Sequence, residues 1–85
     1  MNLQEQFEAA VANSKTLTEK PNNEILLKLY SLYKQATSGD NDGETPSNPF
    51  DFVAKAKYDA WEQLRGTSKD NASQLYIDLI NQLKG

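Results

Sequence analysis

From Asn22 to Thr37 the apolar residues Ile25, Leu29, Leu32 and Ala36 recur every three or four positions, and no stretch of the chain alternates convincingly as a half-buried strand does. The same period marks three further segments. Leu3, Phe7, Ala10 and Ser14 share one side of a segment running from about Leu3 to Ser14, with Asn2 and Glu5 spaced as a helix cap. A third pattern covers about Asp51 to Arg65 and stops at Gly66. Ser68 then offers a cap to a fourth, in which Ala72, Leu75, Tyr76, Leu79, Ile80 and Leu83 form a broad face. The spacing predicts four amphipathic helices, the second starting at Asn22 or Asn23. Pro21 closes the connection before it, and SGDNDGETPSNP, rich in glycine, proline and acids, reads as a long surface loop after it.

A chain of 85 residues buries only roughly 60% of its unfolded surface, so residues 1–85 are expected to form one domain with a thin core between helices. The predicted fold is an all-α four-helix bundle, and the long loop allows neighbouring helices that are not strictly antiparallel.

The chemistry open to such a chain is narrow. Cysteine and histidine are both absent, which removes thiolate chemistry, the usual general base near neutral pH and the usual transition-metal ligands. No catalytic residue and no metal site are therefore expected. With 12 acidic and 9 basic residues the net charge is −3, which argues against a nucleic-acid partner needing a broad cationic footprint. Apolar runs as short as Ile25 to Leu27 cannot span a bilayer, and MNLQEQFEAA has no basic start followed by an apolar stretch. The expectation is a soluble, cytoplasmic monomer.

Two tyrosines interrupt this plain picture. At about 100° per residue, Leu26, Tyr30, Tyr33 and Thr37 make a second stripe beside the apolar one, with Lys34 just beyond Tyr30. Rings there can pad the rim of a core, their hydroxyls in water. They can also stack on a planar base and donate to a phosphate, with Lys34 adding a cation. In DFVAKAKYDAWEQL, Val53, Lys57, Ala60, Trp61 and Leu64 project to one side, whereas Lys55 faces Asp59 and Glu62. Lys57, with no acid one turn away, suits an anionic ligand. Trp61 reads as core, with a ligand platform as the alternative.

The stretches YSLYKQAT (Tyr30 to Thr37) with Gly39-Asp40, KAKYDAW (Lys55 to Trp61), LRGTSK (Leu64 to Lys69) and YID (Tyr76 to Asp78) occur in this order, and with them the chain resembles the acyl-CoA-binding protein family over nearly its whole length. The resemblance implies an up-down-down-up four-helix fold that holds one long-chain fatty acyl-CoA without catalysis and without a cofactor. It implies roles in carrying and buffering acyl-CoA, with the ligand itself as the partner. By position it assigns ligand contacts to Lys15, Tyr30, Ser31, Leu32, Tyr33, Lys34, Val53, Lys57 and Tyr76. Tyr30, Lys34 and Lys57 would meet the ribose 3′-phosphate, Tyr33 the adenine ring, Lys15 the nucleotide and Tyr76 the ribose side. Phe7, Ala10 and Leu27 would line an acyl groove built from the first three helices.

The chain also departs from the family pattern. Thr45-Pro46-Ser47 stands where many relatives have Arg-Pro-Gly, Val53 replaces a lysine, and Tyr58 replaces a tryptophan. The alternative reading is a helical protein-interaction module whose tyrosine edge receives a partner helix. A thioester-processing enzyme would need a base beside Ser31, and no histidine is present to supply one.

Overall fold

The computed structural model describes residues 2–17, 19–43 and 45–84. Met1 and Gly85, the ends of the expected 1–85 unit, lie outside the described residues, as do Thr18 and Glu44 in its first and second connections. The described residues contain four helices, α1 (Leu3–Ser14), α2 (Asn23–Ser38), α3 (Phe52–Glu62) and α4 (Lys69–Lys84), and no strand.

Each helix begins at a side-chain cap that satisfies a backbone N–H otherwise left without a partner. Asn2 accepts from Glu5 N–H at 2.8 Å, Asn22 from Ile25 at 2.9 Å, Asp51 from Ala54 at 3.0 Å and Ser68 from Asn71 at 3.0 Å. The predicted starts therefore hold to within a residue. The third helix ends earlier than its apolar pattern, at Glu62, because residues 63–67 tighten into successive turns in which Leu64, Arg65 and Thr67 each donate to the carbonyl three residues back. Gly66 ends this stretch at φ +92°, a left-handed conformation that a side chain would strain.

The core joins Phe7 and Ala10 of α1, Leu29 and Leu32 of α2, and Tyr76, Ile77, Leu79 and Ile80 of α4. Helix α4 approaches both α1 and α2, whereas α3 approaches α2 alone. Because α4 is covered from two directions, its buried arc extends round to Ile77, and Leu75, expected on the apolar face, lies beyond the other edge at 48% exposed. Ile80 is completely enclosed. Ile80→Ala should lower unfolding free energy by about 2–5 kcal/mol, measurable by urea denaturation, since the cavity left by the side chain adds to its lost transfer energy.

Lys57 of α3 lies over the Tyr30 ring of α2, and four residues onward in both helices Lys34 meets Trp61. Contacts that advance in the same sense along both helices mean that α2 and α3 run parallel. The long connection of residues 39–51 follows from this, since a tight turn can only reverse the chain.

A polar clasp ties the start of that connection to the end of α3 and the turns that follow it. The buried Gln35 amide donates to Asp40 at 2.9 Å and to the Thr67 carbonyl at 2.8 Å, and Gly66 N–H donates to the same Asp40 oxygen at 2.8 Å. Arg65 donates to the Asn41 carbonyl at 2.6 Å, and the Trp61 indole N–H donates to the Gly39 carbonyl at 2.9 Å. Trp61 is thus a structural residue, 8% exposed. The Gly66 N–H, then the Gln35 amide and Arg65, hold the Asp40 carboxyl below its usual pKa. A lowered folded-state pKa adds stability that is present above the unfolded value of about 3.9 and lost as pH falls through the folded value. Asp40→Asn should therefore lower the urea midpoint at pH 7, and the gap from the parent should narrow as pH falls below the unfolded value; a gap that widened on acidification would contradict the clasp.

Candidate functional site

Tyr30, half-buried on α2, stands where three surface hollows meet. The largest is a groove of about 370 Å³ between α2 and α3, walled by Leu26, Leu27, Phe52, Val53 and Ala56, with Tyr30 and Lys57 also lining it. Its lining is mostly carbon, so water in it has few hydrogen-bond partners and an apolar ligand would displace that water favourably. Leu27 belongs to this groove as expected. Phe7 and Ala10 do not: at 5% and 4% exposed they are consumed by the core against α4, and α1 makes no close backbone approach to α3. Phe52, on the groove wall and 73% exposed, was missed in the sequence because its place at the helix start gives it no apolar partner one turn earlier.

One ammonium group stands over Tyr30 and a second, from Lys34 one turn along α2, over Trp61. Lys57 Nζ is 5.2 Å from the Tyr30 ring centroid, and Lys34 Nζ is 4.9 Å from that of Trp61. Among the described residues the ion pairs are Lys55–Asp59 at 3.1 Å and Arg65–Glu62 at 2.8 Å, so neither Lys34 nor Lys57 has its charge neutralised by a described carboxylate. The rings hold both cations in place without cancelling them. Lys55, with its acid one turn on, plays the separate part its spacing predicts. A phenol hydroxyl together with two such ammonium groups can bind a compact dianion such as a phosphate monoester.

A second hollow, about 250 Å³, lies on the other side of Tyr30 and is lined by Ser14, Pro21, Leu29, Tyr33 and Tyr76 among others. Tyr33 is 41% exposed and stacks at 6.0 Å on Phe7, which meets Tyr76 edge-on at 5.2 Å. The Tyr33 ring therefore has one face supported and much of its surface open, as a stacking platform requires. Lys15 caps the end of α1 next to Ser14 and is exposed.

The site residues expected from the sequence thus gather in two adjoining places, Tyr30, Val53 and Lys57 at the groove with Lys34 beside them, and Tyr33 and Tyr76 at the second hollow. Val53 is 64% exposed and adds carbon, not charge, to the groove wall. Ser31 and Leu32 point elsewhere. Steps of about 100° carry them off the face shared by Tyr30, Tyr33 and Lys34. The Ser31 hydroxyl donates to the Lys28 carbonyl at 2.9 Å, and Leu32, 2% exposed, lies in the core and offers a ligand no side-chain surface.

Comparison with known proteins gives a single outcome. The family described as acyl CoA binding protein matches residues 4–80. The chain is 46% identical over 77 residues to acyl-CoA-binding protein homolog 1 of Caenorhabditis elegans, covering 91% of this chain and 88% of that one. It is 48% identical over 80 residues to part of enoyl-CoA delta isomerase 2 of Rattus norvegicus, covering 94% of this chain but only 20% of that longer protein. Its fold matches the crystal structure of Oryza sativa acyl-CoA-binding protein 2 with a TM-score of 0.90 at 41% identity, covering 96% of this chain and 90% of that one. The four helices have the all-α fold of that structure, and with the motifs matched along nearly its full length the chain belongs to the acyl-CoA-binding protein family.

Proposed function

We propose that this chain binds medium- to long-chain fatty acyl-CoA thioesters and releases them unchanged, as a carrier and buffer of an intracellular acyl-CoA pool. One observation carries the reading: Tyr30 and Lys57 line an apolar groove, Lys34 follows one turn along α2 over Trp61, and neither lysine has a carboxylate partner among the described residues. A ligand with a fatty chain at one end and a 3′-phosphorylated nucleotide at the other matches both halves. The acyl chain takes the α2–α3 groove, the 3′-phosphate takes Tyr30, Lys34 and Lys57, and the adenine lies against Tyr33. Lys15 and Tyr76 flank the nucleotide.

Binding without turnover is supported by the sequence and by Ser31, whose hydroxyl is engaged with its own helix and has no histidine to activate it. The net charge of −3 disfavours nucleic acid as a partner, and no described helix is long and apolar enough to cross a membrane. A protein-interaction module is the second reading, favoured by Phe50 and Phe52 at 79% and 73% exposed.

Calorimetric titration with palmitoyl-CoA, kept below its micelle-forming concentration, separates the two. The carrier reading expects one ligand per chain, a rise in melting temperature with ligand concentration, and no release of free thiol on prolonged incubation. An unchanged melting temperature would favour the interaction module, and accumulating thiol would mean an enzyme.

A further inference from the structure

On the α2–α3 pair a further hollow of about 300 Å³ is lined by Leu27, Ser31, Ala60 and Leu64, with Glu24, Lys28 and Gln63 also bordering it. The last three are exposed, so the charged and amide ends can stay in water while the interior is carbon. Ser31 does not spoil this. Its hydroxyl is 4% exposed with its residue and turned back onto the Lys28 carbonyl, leaving no unmet polar group to resist an apolar occupant.

This hollow and the larger groove share a wall residue. Leu27 lines both, and on α3 the groove residue Ala56 and the hollow residue Ala60 are one turn apart on the same side. Two alanines one turn apart keep this side of α3 low, and Leu27 of α2 borders both spaces. From this we infer that the hollow at Leu27, Ala60 and Leu64 is a distal acyl subsite, which receives the methyl end of fatty acyl chains too long for the first groove. The inference rests on the proposed acyl-CoA binding and assigns the chain-length limit of that same site. Ala60 and Leu64 then contact only the longer chains, and Leu27 contacts both long and short ones.

The test uses dodecanoyl-, palmitoyl- and eicosanoyl-CoA on the intact chain. Each pair of methylenes that enters apolar surface tightens binding by up to about tenfold, so eicosanoyl-CoA, two such pairs longer, should bind tighter than palmitoyl-CoA by up to about a hundredfold. Ala60→Phe fills the hollow and should abolish that gain while leaving dodecanoyl-CoA affinity within about twofold of the parent. Because this substitution lies where α3 approaches α2, a second measurement is made on the unaltered protein: the NMR methyl signals of Ala60 and Leu64 should shift with eicosanoyl-CoA and stay in place with dodecanoyl-CoA. Methyl signals indifferent to chain length, or a loss in Ala60→Phe that is equal for all three ligands, would overturn the distal subsite. Failure of every thioester to bind the parent protein would instead overturn the proposed function itself.

Discussion

Affinity is expected to climb steeply from free CoA through hexanoyl-CoA to dodecanoyl- and palmitoyl-CoA, by as much as about tenfold for each two carbons while apolar surface in the groove remains uncovered. The cause is the carbon lining of the α2–α3 groove, where Leu26, Leu27, Phe52, Val53 and Ala56 present little that can hydrogen-bond to water. Burying one methylene contributes roughly 0.8 kcal/mol, and the gain stops once further carbons meet solvent. The nucleotide cannot generate this trend, because it is identical in every ligand of the series. A site governed by its cations alone would give a flat profile that weakened uniformly with salt. Calorimetry below micelle-forming concentrations distinguishes the two curves. A flat series would leave a CoA site and remove the acyl carrier, even if CoA itself bound well.

Removing the 3′-phosphate from the ligand should weaken binding by roughly tenfold to a hundredfold, the range for one lost hydrogen bond to a charged group, and by more if several contacts go together. The protein side of the same interaction is Lys57. Lys57→Ala should weaken palmitoyl-CoA binding by a similar factor, whereas Lys55→Ala should change it little, since Lys55 is paired with Asp59 on an exposed face and such pairs carry little energy. The two perturbations should also fail to add. With the phosphate absent, Lys57→Ala has little left to remove, so the double-mutant cycle of ligand and protein yields a coupling energy. Equal affinity for phosphorylated and dephosphorylated thioesters, or a larger effect at Lys55, would dismantle the phosphate assignment.

The clasp changes how the family-like motifs are understood. Gly39-Asp40 and Leu64 to Lys69 belong to the resemblance as firmly as the tyrosines do, yet their work here is to tie the end of α2 to the α3–α4 connection. Trp61 links the two roles, since its N–H holds the Gly39 carbonyl while its ring holds the Lys34 ammonium. A motif residue near a site is therefore not by that fact a ligand contact. Leu32 makes the same point from within the tyrosine motif, where neighbours in sequence face opposite sides of the helix.

What the sequence determined by itself is what depends on nearby residues. The four helices, the caps at Asn2 and Ser68, the face shared by Tyr30, Tyr33 and Lys34, and the different company kept by Lys55 and Lys57 all follow from spacings of three and four, because a helix converts such spacings directly into direction. Only the tertiary structure decided which helices meet. Phe7 and Ala10 were equally suited to a groove or to a core, and α4 took them for the core. Leu75 and Ile77 exchanged expected places because α4 is covered by two partners at once. The groove at Phe52 and the crossed contacts of Lys34 with Trp61 and Lys57 with Tyr30 required α3 to lie parallel to α2. Periodicity states how much apolar surface a helix must bury and on which side, but not what buries it; that is settled by packing between segments far apart in the chain, where many partners satisfy the same pattern and only one arrangement fills the space.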